Sequence, residues 1–315
     1  MSGTIDPHAR GLAGAATDHG EDLWLQGDGV RLHAVATGRG PTVVLLHGFP
    51  DCWYGWRAQL PALAAAGFRA VAVDLRGYNL SDRPPRVDDY RMARLVGDVR
   101  AAILSLGTAS GASLGAGRAH VVGHDWGGAI AWRLAAEYPE VVDRLVVCNA
   151  PHPGRFGELL RTSSQALRSW YVAAVQLPAL PELLLGAAGG RPLVALLRSM
   201  HRRPGAFTDA DAARYRAAFE GPGAVRAALA YYRAAARQPS AVAREEHRLV
   251  RPTLVLWGQE DPALLPANAD GLERWVPDLR VERFPGAGHW VMADAAEAVN
   301  ASLVRFLGSS AGAAA

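Results

Sequence analysis

The chain of 315 residues is 50% hydrophobic and 20% charged, with a formal net charge of +3. That composition supplies a large core for one or two domains and excludes a chain that is disordered throughout. Two cysteines, Cys52 and Cys148, exclude a disulfide scaffold and suit a reducing, cytoplasmic setting. All 33 basic residues are arginine. They are scattered or interrupted by proline and acids, so no nucleic-acid-binding patch is expected.

In chain order, residues 1–22 are polar and rich in glycine and alanine, without an apolar run. They read as a disordered leader and not as a signal peptide; residues 309–315 read as a disordered tail. No run of ~18 uninterrupted apolar residues is present, so no membrane span is expected. Short β-branched runs follow at 42–46, 70–73, 119–122, 144–148, 253–257 and 281–284. Runs that are apolar throughout have both faces covered, which marks a mainly parallel sheet. Helical patterns lie between them at 56–66, 92–106 and 128–138, and a last one at 295–307 has Asp294 as its expected N-cap. Residues 108–117 read as a small-residue surface loop.

The alternation stops after Asn149. Residues 150–238 show only proline-punctuated helices, one opening at Thr208 with Asp209 and Asp211 in its first turn, and another at 224–237. The expected architecture is an α/β core, residues 23–149 and 239–308, carrying an inserted helical lid at 150–238.

The strongest chemical signal is Gly123-His124-Asp125-Trp126-Gly127-Gly128, placed between a strand and a helix. Small residues on both sides of a polar one are what a strained strand-to-helix elbow requires, because backbones pack there without room for side chains. Asp125 is the expected nucleophile. Gly258-Gln259-Glu260-Asp261 and Gly286-Ala287-Gly288-His289-Trp290 follow the last two strands. Nucleophile, acid and histidine thus fall in α/β-hydrolase order. Asp261 is preferred to Glu260, which would point away from the loop tip. His47-Gly48-Phe49-Pro50 ends an earlier strand; the backbone N–H groups of Phe49 and Trp126 would form an oxyanion hole, with His47 as scaffold.

From Leu23 to Leu307 the chain resembles α/β-hydrolases of the epoxide hydrolase type. The residues that carry the resemblance are His47 to Pro50, Asp74-Leu75-Arg76-Gly77-Tyr78 with Ser81-Asp82, the 123–128 elbow, and the Asp261 and His289 loops. The resemblance implies a cis bond before Pro50. It also implies two lid tyrosines on the epoxide oxygen, which by context are Tyr171, after Ser169-Trp170, and Tyr232, before Arg233. Phe49, Trp126 and Trp170 are the expected substrate contacts. Lid aliphatics such as Leu177, Leu180, Leu184 and Leu185 point to a hydrophobic epoxide as partner, with water as co-substrate.

An aspartate at the elbow changes the reaction class. A serine there would indicate acyl transfer, whereas a carboxylate attacks saturated carbon and leaves an alkyl–enzyme ester. His289, held by Asp261, would then activate water. No metal or other cofactor is required. A haloalkane dehalogenase would use the same nucleophile, but commonly has asparagine where Phe49 stands. Fluoroacetate dehalogenases carry arginine where this chain has Trp126 and Ala129. A catalytically silent binding protein of the same fold is the remaining alternative.

Overall fold

The apolar runs have no polar face to turn to water, and in the computed structural model they form the middle of an eight-stranded sheet. Residues 19–109, 117–238 and 248–309 are described. The strands are β1 (Glu21–Gln26), β2 (Arg31–Thr37), β3 (Thr42–Leu46), β4 (Arg69–Val73), β5 (Ala119–His124), β6 (Val142–Cys148), β7 (Thr253–Gly258) and β8 (Leu279–Phe284). Their spatial order is β1-β2-β4-β3-β5-β6-β7-β8. Only the β1–β2 and β2–β4 pairs are antiparallel, and every pair from β4 through β8 is parallel. All side chains of β3, β5 and β7 are buried, as expected of strands with helices on both faces. Helices α1 (Gln59–Ala65), α2 (Met92–Ala109), α3 (Trp126–Glu137) and the C-terminal helix Ala296–Gly308 accompany the sheet.

Between β6 and β7 the described residues hold helices and no strand. These are α4 (Pro153–Thr162), α5 (Gln165–Arg168), α6 (Trp170–Ala174), α7 (Leu180–Ser199), α8 (Asp209–Phe219) and α9 (Ala224–Arg237). Thr208 caps α8 in a reciprocal capping box with Asp211, which satisfies two otherwise orphaned N–H groups. By length and composition α7 is apolar enough to cross a membrane, with a mean hydropathy of 1.3 over its apolar window. Its apolar window contains Glu182 and Arg191, so it is not the uninterrupted run whose absence was expected. The helix is also broken, because Ala187 to Gly190 leave helical geometry and three of them have positive φ. Neither half approaches the ~20 residues that a ~30 Å hydrocarbon core needs.

Several expected boundaries move. Glu21 and Asp22 are not leader but the start of β1, where Asp22 Oδ1 lies 2.9 Å from His33 Nε2. Residues 1–18 of the expected leader and 310–315 of the tail lie outside the described residues. Ser309, placed in the tail, accepts a hydrogen bond from Arg144 through its carbonyl. The loop expected at 108–117 begins later, since α2 continues to Ala109; residues 110–116 are outside the description. Asp294 does not cap the last helix. It ends the short helix Val291–Asp294, the chain bends at Ala295, and the next helix starts at Ala296.

Candidate active site

Parallel strands place their carboxyl ends on one edge, and the chemistry-bearing residues gather there. Asp125 follows β5 with φ 48° and ψ −119°, a conformation that costs energy for any residue with a Cβ. Close packing maintains it. A Cβ on Gly127 would come within 2.3 Å of the Leu46 carbonyl oxygen, and one on Gly48 within 2.3 Å of Asp125 Cβ. Only glycine fits at either place, so the elbow lies against the backbone that ends β3 and the following loop lies against the Asp125 side chain.

That contact fixes the carboxylate. The Phe49 N–H donates to Asp125 Oδ1 at 2.8 Å, and the Phe49–Pro50 bond is cis. His47 is buried behind this loop, its Nδ1 2.8 Å from the Gly48 carbonyl while its Nε2 accepts from the Leu75 N–H at 3.0 Å. Both ring nitrogens are therefore occupied in holding the loop. The Asp74 carboxylate accepts from the Trp53 N–H and from Asn79 Nδ2, so the 74–82 motif braces the same region.

On the other side of Asp125, Oδ2 lies 3.5 Å from His289 Nε2. His289 Nδ1 is 2.7 Å from Asp261 Oδ2. Asp261 Oδ1 accepts from the N–H groups of Ala263 and Leu264 at 2.8 and 3.0 Å. Glu260 is exposed, whereas Asp261 and His289 are buried together. Burial alone would lower the His289 pKa, but the charges of Asp261 and Asp125, with the hydrogen bonds they offer, outweigh it and push it up to about 10. Burial alone would raise both carboxylates, yet the facing imidazolium holds Asp125 and Asp261 below their usual range. The resting site is a cation between two anions. Burial and the adjacent His289 cation lower His124 to about 3.

The helical insertion closes the site from above. Tyr232, on α9, is buried and packs edge-on against Phe49, Trp126 and Tyr171, with ring centroids 5.5, 5.1 and 5.9 Å apart. Burial and then the Asp125 charge raise both tyrosine pKa values, so both hydroxyls stay protonated. Val175, Val225, Leu229 and Tyr232 form an apolar cluster here, with Leu185 packed against it. Trp170 does not join the site. It is 69% exposed on the outer side of α6, because the neighbouring Tyr171 takes the inward position. Leu177, Leu180 and Leu184 are likewise exposed, and of the four lid aliphatics only Leu185 reaches the cluster.

The sequence reading missed Asn149. It is fully buried at the end of β6 with φ 39°, a conformation that asparagine tolerates better than most residues. Its Nδ2 donates to Asp261 Oδ2 at 2.8 Å, while its Oδ1 accepts from the Gly258 N–H at 2.8 Å. Its place immediately after a strand that ends on the same edge was the available signal. Asp51 was missed too. Its carboxylate accepts from Tyr215 on α8 and from the indole N–H of Trp290 beside His289.

The chain belongs to the α/β-hydrolase fold family, whose pattern matches residues 41–296. It is 38% identical over 287 residues to the AB hydrolase superfamily protein YfhM of Bacillus subtilis, covering 89% of this chain and 95% of that one. It is 39% identical over 290 residues to Epoxide hydrolase 1 of Caenorhabditis elegans, covering 88% and 68%. The solved structure of the Bacillus megaterium epoxide hydrolase with an inhibitor superposes with a TM-score of 0.83 at 32% identity, covering 91% and 100%. Within the fold family, the chain falls among the epoxide hydrolases.

Proposed function

We propose that the protein hydrolyses a hydrophobic epoxide to a vicinal diol through an ester on Asp125. The observation that carries this reading is the Asp125 carboxylate itself. It is held on a strained elbow by the Phe49 N–H, faces His289, and lies beneath the buried Tyr232 and the partly buried Tyr171.

In the first step an Asp125 oxygen attacks a ring carbon, and the carbon–oxygen bond on its far side breaks. The departing oxygen takes a proton from Tyr171 or Tyr232. An alkoxide in an apolar site needs such a donor, whereas a halide does not, and this chemistry favours epoxide over haloalkane. In the second step His289 takes a proton from water, and the hydroxide adds to the carbonyl carbon of the Asp125 ester. The N–H groups of Phe49 and Trp126 stabilise the oxyanion. Collapse releases the diol, whose leaving oxygen takes the proton back from His289, and the Asp125 carboxyl, now with one oxygen from solvent, returns its own proton to His289.

The charge pattern suits this order. While Asp125 is ionised, His289 is held protonated and cannot act as a base. Alkylation removes the Asp125 charge and leaves a tyrosinate, to which the imidazolium gives up its extra proton, so that it becomes a base only once there is an ester to hydrolyse.

A single turnover of styrene oxide in heavy-oxygen water tests the reading. The diol should carry no label in the first turnover, and label should enter Asp125. Label in the first-turnover diol would mean direct attack by water and would exclude Asp125 as nucleophile. Asp125→Ala should lack turnover while remaining folded.

A further inference from the structure

The nucleophile and the base are supported differently. The hydrogen bonds that hold Asp125 and its oxyanion loop come from the core, through Phe49, His47 and Leu75. The Asp261 and His289 loops are gripped by the helical insertion. Arg168, on α5, donates through Nη1 to the Asp261 carbonyl at 2.7 Å. Gln165 donates to the Ala263 carbonyl at 2.8 Å and accepts from the Leu265 N–H at 2.9 Å. Asp294 does the same for the histidine loop. Its Oδ2 accepts from the Gly288 N–H at 2.8 Å and from the Arg202 N–H, just past α7, at 3.0 Å. A Cβ on Gly288 would stand 2.7 Å from the Met200 carbonyl oxygen, so this loop lies directly on the insertion.

We propose that Arg168 and Asp294 are positioning residues that tie the Asp261 and His289 loops to the helical insertion, so that ester hydrolysis depends on these two ties while the seat of Asp125, whose hydrogen bonds come from the core, does not. The proposal rests on the two-step reaction above for its kinetic consequences, and on the geometry alone for its structural one. Asp294 is suited to the task. Burial raises its carboxyl, but hydrogen bonds from His201, Gly288 and Arg202 outweigh that and hold it below the usual range. As an anion it can accept from two backbone N–H groups through one oxygen. An asparagine amide can offer its single oxygen to both donors only by turning its NH2 group toward His201.

The test uses the full chain with Asp294→Asn, Arg168→Met and Arg168→Lys, followed by stopped-flow tryptophan fluorescence and intact-protein mass during styrene oxide turnover. Adduct formation should stay within about two-fold of wild type. Adduct decay should slow ~10- to 100-fold in Asp294→Asn and Arg168→Met, the scale expected when a catalytic group shifts by about 1 Å. The alkylated fraction should therefore rise in the steady state, and Arg168→Lys should recover part of the loss. Formation and decay slowing together would overturn the proposal, since a merely structural role would move both. A second readout needs no substrate. The His289 imidazole is flanked by Asp261, Asp125 and His124, and its titration followed by NMR should fall below the wild-type value in both variants as the Asp261 contact loosens. An unchanged titration in both would overturn the brace. Failure of the wild type to form any adduct would overturn the proposed reaction, leaving the titration to decide the brace.

Discussion

Replacing Asp125 by asparagine imitates the charge change that alkylation produces, and its effect on His289 can be estimated. The Asp125 Oδ2 to His289 Nε2 distance is 3.5 Å. A unit charge at that distance, with an effective dielectric of ~20, contributes about 5 kcal/mol, or about 3.5 pH units. From the resting value of about 10, the imidazole in Asp125→Asn should therefore titrate at ~6.5, in the range where a general base works well at neutral pH. The amide oxygen still accepts a hydrogen bond from the ring, so charge is removed with little change of shape. The assay is NMR titration of the nitrogen-labelled imidazole in wild type and variant, with Asp261→Asn as a second perturbation on the Nδ1 side. A wild-type His289 already neutral at pH 7, or a variant value less than about one unit below wild type, would refute the idea that the nucleophile's charge holds the base in reserve.

His289→Gln should form the ester but fail to hydrolyse it, so intact mass should rise by the mass of the substrate; no adduct from a variant that still binds substrate would contradict that role. Tyr171→Phe and Tyr232→Phe should each slow alkylation, and the double variant should lose at least ~10²-fold, the lower range of general acid assistance, measured as single-turnover adduct formation. Asn149→Ala should leave Asp261 Oδ2 and the Gly258 N–H each short of a partner, costing about 1–3 kcal/mol in denaturant unfolding. Stability should also depend on pH through the charged trio. The raised His289 contributes fully below ~6.5, and that contribution is lost as pH climbs through about 10, whereas the lowered Asp125 and Asp261 contribute above ~3.8 and lose on acidification. Thermal melts of His289→Gln should show a flatter alkaline arm than wild type.

The parallel strands were legible because burial on both faces leaves a local mark, a run of valine and leucine with no polar partner. The β1–β2 hairpin left no such mark. In β1 only Leu25 is fully buried, and Trp24 lies exposed with the Arg31 guanidinium over its ring. An edge strand of that kind reads as polar chain, which is why Glu21 and Asp22 fell to the expected leader. Asp125, Asp261 and His289 were legible for a different reason. Each stands on a short turn just beyond a strand, and the glycines around Asp125 and His289 stand where a Cβ would clash or, at Gly286, where φ is positive. Trp170 shows where that reasoning stops. Successive side chains on a helix point in different directions, and nothing in Ser169-Trp170-Tyr171 itself decides which of the two aromatics faces inward.

Asn149, Asp51, Arg168 and Asp294 belong to a third class, and their obscurity has a physical cause. Each has a partner far from it in sequence. Arg168 holds the Asp261 carbonyl 93 residues away, and Asn149 holds the Asp261 carboxylate across 112. Residue type does not announce such a role, because arginine on a surface helix and aspartate before a helix have commoner local uses. Asp294 was read as an N-cap on that local logic, yet the bend at Ala295 frees its carboxylate to turn back onto Gly288. Catalytic groups must be reactive, so their immediate surroundings are specialised and leave a motif. Groups that position them need only a hydrogen bond at the right distance, which many sequences can supply, so the constraint appears only when the fold brings the two segments together.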